Sequence, residues 1–233
     1  MRVVFFDAAG TLFRVKGSVG QVYLDHAQKY GVTTSPAALQ QAFRRALSDA
    51  PPLAFSLTNE ADIKACERLW WFDVVHNVFY RVGMFEGFDQ YFEDVFTYFA
   101  GPEAWDLYPE TLATLQALEE RGKELGIVSN FDSRLYEILV GLGIDRFFES
   151  VTVSSFAGAA KPSSQIFIRA LAKHGAAPQE ALHIGDSLQE DVHGARSAGI
   201  KSVYMQRADE ACRLPDVPTI TNLYEVITLL DRG

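Results

Sequence analysis

Beyond Arg2 the chain opens with a run in which Val3, Val4, Phe5 and Phe6 are all apolar. A run that is β-branched and aromatic predicts a strand over residues 2–6, buried on both faces of a parallel sheet. The strand stops at Asp7, and Ala8-Ala9-Gly10-Thr11 predicts a tight loop. From residue 18 to residue 100 the pattern is helical, with no convincing strand. Residues 18–30 place Val19, Val22, Tyr23 and His26 on one side of a helix. Ser35-Pro36 reads as the cap and first helical residue of a second helix, running to about 48. A third helix over 59–82 carries a broad apolar face that includes Ile63, Cys66, Trp70, Val74 and Phe79, and a fourth spans 88–99.

Gly101-Pro102 ends this stretch, and strands then alternate with helices. Helices are predicted over 109–121, 133–142, 162–174, 189–198 and 223–230. Strands are predicted over 125–128, 150–153, 181–184 and 202–204, with a short one at Thr219. Such alternation predicts an α/β fold with a doubly wound, Rossmann-like parallel sheet. The expected organisation is an α/β core of residues 1–15 and 102–233, interrupted after its first strand by an all-helical cap of residues 16–101. In open α/β sheets ligands bind beyond the carboxyl ends of the strands. The residues that follow strands therefore matter most.

Composition narrows the partners. Apolar residues make up 48% of the 233, enough for a sizeable core. The net charge is −9 with no dense basic block, so nucleic acid and anionic membranes are repelled at long range. A small anionic substrate stays possible, because a local pocket or metal outweighs global charge. No apolar run is long enough to span a membrane and the N-terminus carries no signal-peptide pattern, which makes the cytoplasm the expected location. Cys66 and Cys212 fall in no metal-ligand or redox spacing and read as isolated thiols.

Four segments follow predicted strands and carry chemistry: Asp7 to Leu12, Val128-Ser129-Asn130, Lys161-Pro162, and Gly185-Asp186-Ser187 with Asp191. Two strand-end carboxylates, Asp7 and Asp186, repel each other if they converge and then need a cation between them. An oxygen-only donor set favours magnesium over zinc. A nearby lysine and serine supply charge and hydrogen bonds for phosphate oxygens. Taken singly, each segment also has a bland explanation, as a turn, a helix cap or an ordinary Lys-Pro pair.

In this order and context the motifs FFDAAGTLF, IVSN, Lys161 and GDSLQED resemble those of the haloacid dehalogenase-like hydrolase superfamily, including its members with a cap inserted after strand one. Within it, the WWFDVV stretch and the FDAAGTLFRV opening look most like the domain-containing protein 3 group. The resemblance implies a magnesium-dependent hydrolase of small phosphorylated metabolites, a phosphatase in the family's terms. Asp7 would be the nucleophile that forms an aspartyl-phosphate. Mg²⁺ would be held by the Asp7 carboxylate, the Ala9 backbone carbonyl and Asp186. Ser129 would bond a phosphoryl oxygen, Lys161 would balance charge on Asp7 and the transferring group, and Asp191 would orient metal water or Lys161. Thr11 and Asn130 would shape the loop and the phosphate cradle.

One position departs from the pattern. Phosphatases of this superfamily carry a second aspartate, the general acid, where this chain has Ala9. Such a group is typically worth roughly 10²–10⁴-fold in rate. His26, Asp25 or Lys29 of the first cap helix could replace it, or the substrate could carry a good leaving group. The chemistry could also be of the phosphonatase or dehalogenase type, or the chain could be a weak or inactive relative that binds a phosphorylated ligand or a partner. Most cap aromatics read as core, with one or two lining an apolar pocket at the cap–core junction.

Overall fold

The fold is described from a computed structural model, in which residues 1–207 and 216–231 are described. Cys212 lies outside the described residues; Cys66 is a free, half-buried thiol. The elements in chain order begin with β1 (Val3–Phe6), β2 (Phe13–Val15), α1 (Val19–Ala27), α2 (Pro36–Asp49), α3 (Glu60–Val82) and α4 (Phe88–Tyr98). They continue with β3 (Trp105–Leu107), α5 (Thr111–Glu120), β4 (Glu124–Ser129), α6 (Arg134–Gly141), β5 (Ser150–Val153), α7 (Ser154–Ala157) and α8 (Ser164–Lys173). The last are β6 (Ala181–Gly185), α9 (Gly194–Ser197), β7 (Lys201–Met205), β8 (Thr219–Ile220) and α10 (Glu225–Asp231).

Six strands form one parallel sheet in the order β5-β4-β1-β6-β7-β8, flanked by helices. β1 lies between β4 and β6, and all four of its residues are buried. Its side chains alternate across the sheet. Val4 and Phe6 join Leu115, Leu118, Ile127 and Leu135 on one face, while Val3 and Phe5 join Ile166, Phe167 and Ala170 on the other. Burying an aromatic such as Phe5 or Phe6 contributes about 2–3 kcal/mol, so the strand that ends at the site is held from both sides.

Helices α1 to α4 pack around an apolar cluster of their own, built from Tyr23, Leu39, Val78, Phe79, Tyr91 and Phe92. Their starts are capped by short polar side chains. Ser18 accepts from the Gln21 amide, Ser35 from Ala38 with Pro36 in the first turn, and Asn59 from Asp62, each at 3.1 Å. Among the described residues no helix is long and apolar enough to cross a membrane.

Two features differ from the expected pattern. β2 and β3 pair antiparallel where the chain leaves and re-enters the sheet body. Three-residue strands paired across the helical stretch leave no local period to read. The helix expected over 189–198 begins instead as a π-helical turn, Leu188–His193, before α9. There the Val192 amide reaches back five residues to the Ser187 carbonyl at 3.2 Å, a widened turn of the kind found at functional sites.

Candidate active site

Parallel pairing puts the carboxyl ends of neighbouring strands at one edge, about 4.8 Å apart. Because β1 lies between β4 and β6, the residues that follow these strands meet although they are far apart in sequence. Asp7 continues β1, and its amide donates to the Ile184 carbonyl of β6 at 2.9 Å. Ser129 ends β4, and Asp186 follows Gly185 at the end of β6. Lys161 enters from the segment between α7 and α8. Asn130 fixes that segment, accepting from the Lys161 amide at 2.7 Å and donating to its carbonyl at 3.0 Å.

The Lys161 ammonium donates to Asp7 Oδ1 and to Asp191 Oδ1, both at 2.6 Å, with all three residues buried. The Ser129 hydroxyl, at the end of β4, acts to stabilise the ionised Asp7 carboxylate. Asp191 is engaged at both oxygens: its Oδ1 also accepts from His183 Nε2 at 2.8 Å, and its Oδ2 accepts from the Ser187 amide at 2.9 Å. Carboxylate oxygens of Asp7, Asp186 and Asp191 lie within 4.8 Å of one another. Gly10 lets the loop close over them. It has φ +91°, and a Cβ there would collide with the Asp186 carboxylate.

Charge at this edge is unbalanced. Burial alone would lower the Lys161 pKa, but Asp191 and Asp7 overcome it and hold the ammonium well above its ordinary range. Burial opposes ionisation of Asp191 too, and Lys161 and His183 override it, keeping that carboxyl below its usual range. Asp7 is raised by burial, with Lys161 acting against the rise and Asp191 adding to it. Asp186 is pushed up to about 7 by burial and by the charges of Asp7 and Asp191. Three carboxylates around one ammonium, offering only oxygen donors, suit a hard divalent cation. In the loop after β1 the Thr11 and Leu12 amides point to the Ala8 carbonyl rather than to that of Ala9.

The structure thus brings Asp7, Ser129, Lys161, Asp186 and Asp191 together. Asn130 stands one step back, holding the Lys161 backbone. Thr11 is buried, its hydroxyl has no hydrogen-bond partner, and its carbonyl accepts from Arg207 at 2.6 Å. His183 was not singled out from the sequence, although a histidine inside the apolar strand Ala181–Gly185 was a visible signal. Glu190 was also missed. Its carboxyl is raised by burial, opposed by Lys161.

Beside the site, between the helical layer and the sheet edge, lies a cavity of about 280 Å³. Ala9 and Asn130 reach it from the loops after β1 and β4, and Trp70, Trp71, Phe96 and Trp105 form part of its apolar wall. The layers are tied together around it. Trp71 Nε1 donates to Asp132, which also holds Arg134 at 2.7 and 2.9 Å. Glu67 of α3 accepts from the Ser133 amide at 3.0 Å.

A family model for haloacid dehalogenase-like hydrolases matches residues 1–199. The chain belongs to the haloacid dehalogenase-like hydrolase family. It is 33% identical over 221 residues to the haloacid dehalogenase-like hydrolase domain-containing protein 3 of Danio rerio, covering 94% of this chain and 90% of that one. It is 41% identical over 101 residues to the glyceraldehyde 3-phosphate phosphatase of Methanopyrus kandleri, covering 43% of each. A crystal structure of a HAD phosphatase from Thermococcus onnurineus matches at a TM-score of 0.65 and 26% identity, covering 99% of this chain and 98% of that one. Within this haloacid dehalogenase-like hydrolase, the replacement acids considered from sequence are engaged elsewhere. His26 Nδ1 bonds the Val22 carbonyl at 2.9 Å, Asp25 pairs with Gln21, and Lys29 pairs with Asp94.

Proposed function

We propose that this hydrolase is a magnesium-dependent phosphatase of small phosphorylated molecules, working through an aspartyl-phosphate on Asp7. The observation that carries the reading is Lys161, whose ammonium bridges Asp7 and Asp191 at 2.6 Å each beside Asp186. Asp7 and Asp186, with the Ala9 carbonyl, would hold Mg²⁺. When bound, the ion supplies charge that offsets repulsion between an anionic nucleophile and a phosphate dianion. Asp7 offers its carboxylate to phosphorus, and Lys161 and Ser129 stabilise charge as it develops on the phosphoryl oxygens. Asp191, turned by His183 and the Ser187 amide, positions the Lys161 ammonium. The likeness to a glyceraldehyde 3-phosphate phosphatase supports a phosphorylated substrate.

Residues 16–101 would act as a cap that excludes water and selects the substrate. The tie from Trp71 to Asp132 and the apolar cavity beneath the helices support that role. The net charge of −9 argues against nucleic-acid and membrane partners, and a cytoplasmic location fits this reading.

The decisive experiment is incubation with Mg²⁺ and beryllium fluoride or a phosphate ester, followed by localisation of the adduct. An adduct on Asp7, with turnover reduced to background in Asp7→Asn, is the expected result. Turnover at the parent rate in Asp7→Asn refutes the reading.

A further inference from the structure

The cavity next to the site is unusual in what it lacks. Its titratable lining consists of Tyr23 and Arg134; among the described residues no carboxyl, imidazole or amine faces it. Arg134 is committed to Asp132 and lies over the Phe96 ring at 4.0 Å and the Trp71 ring at 5.1 Å. Burial raises the Tyr23 phenol well above its ordinary range despite the opposing charge of Arg134, which makes it a poor proton donor. From the loop after β1 the residue that lines the cavity is Ala9, which carries no ionisable group. An ester oxygen leaving into this space meets no carboxylic acid, imidazolium or ammonium.

That restricts the leaving group. An alkoxide is roughly as basic as hydroxide, whose conjugate acid has a pKa of about 16. A phenolate is the conjugate base of an acid near about 10. A phenolate departs without a proton and an alkoxide does not. The cavity also suits an aromatic body. A void of about 150 Å³ lined by apolar side chains already admits benzene, and this one has about 280 Å³ walled by Trp70, Trp71, Trp105, Phe96 and Phe131.

We infer that the substrates are aryl phosphate monoesters, with the ring seated in this cavity. The inference rests on the phosphatase reading and names its substrate class. An Asp7 carboxylate oxygen bonds phosphorus as the aryl P–O bond breaks. The electron pair leaves on the phenolate oxygen, which takes its proton from solvent. Water then cleaves the aspartyl-phosphate, returning the carboxylate and releasing inorganic phosphate. With no base at Ala9 this second step is slow and identical for every ester.

The test compares phenyl phosphate, phenyl phosphates with more acidic phenols, and benzyl phosphate, all with Mg²⁺. Benzyl phosphate keeps the ring but must expel an alkoxide. Expected are a kcat/KM at least roughly 10²-fold lower for benzyl than for phenyl phosphate, a rise with phenol acidity, and a burst of phenol equal to the enzyme. Ala9→Asp should speed benzyl more than phenyl phosphate. All three tryptophans line the cavity, so titration with phenylphosphonate should shift intrinsic fluorescence at far lower concentration than methylphosphonate. Equal kcat/KM for benzyl and phenyl phosphate, or equal binding of the two phosphonates, overturns the inference and leaves the phosphatase reading standing. If no ester turns over, the phosphatase reading fails and the inference with it, and the fluorescence titration reports on the cavity alone.

Discussion

Removing the charge of Asp186 should make the metal-free protein more stable while abolishing its activity. The Asp186 carboxyl is pushed up to about 7 from its ordinary value of 3.8, by burial first and then by Asp7 and Asp191. A rise of this size sets a ceiling of roughly 4 kcal/mol on the penalty of ionising it. Partial exposure and residual denatured-state structure reduce this to about 2 kcal/mol. The sign follows from proton binding: between the unfolded and folded pKa values the native state holds more protons. Native stability therefore falls as pH rises from about 4 to about 7, and is level above. Asp186→Asn has no such penalty. With a chelator at pH 8 its Tm should exceed the parent's by roughly 4–8 °C, given about 2–4 °C per kcal/mol for a chain of this size. The gap should narrow by more than half at pH 5. Magnesium should raise the Tm of the parent but not of the variant, closing the gap by mass action. Thermal melts across pH, with and without Mg²⁺, measure all of this. A variant no more stable than the parent at pH 8 without metal would show that the acidic cluster is already compensated, and the case for a cation would fall.

Lys161→Met should lower kcat roughly 10²–10³-fold and destabilise the fold by about 3–5 kcal/mol, because two buried carboxylates lose their partner; steady-state kinetics and denaturant melts read both. Ser129→Ala removes the hydroxyl that helps stabilise the Asp7 carboxylate and should lower turnover by roughly 10²-fold while Mg²⁺ affinity, measured by calorimetry, stays unchanged. Gly10→Ala must hold a side chain at φ +91° against Asp186; it should lose about 1–3 kcal/mol of stability together with the stabilisation that Mg²⁺ confers, seen by melts with and without the ion.

Much of the fold was legible because its signals are local. The run Val3 to Phe6 has no polar interruption, so a strand buried on both faces was the one economical reading, and both of its faces are covered. Ser35-Pro36 announced a helix start that the backbone adopts. Asp7, Lys161 and Asp186 stood out because each follows a strand or an equivalent break. Features made by distant pairing were not legible. β2 and β3 are each three residues long and find each other across the whole helical stretch, and the widened turn at Leu188–His193 arises from backbone bonds that no period encodes.

The sequence by itself determined which residue types stand at the strand ends and that an alanine occupies position 9, because these are properties of single positions. Tertiary structure alone decided that His183 turns Asp191, that Lys161 is shared between two carboxylates, and that Ala9 opens onto an apolar cavity walled by all three tryptophans. Strand order is the physical reason. Placing β1 between β4 and β6 brings three far-separated loops to one edge, and packing the helices over that edge encloses a space that no single segment specifies.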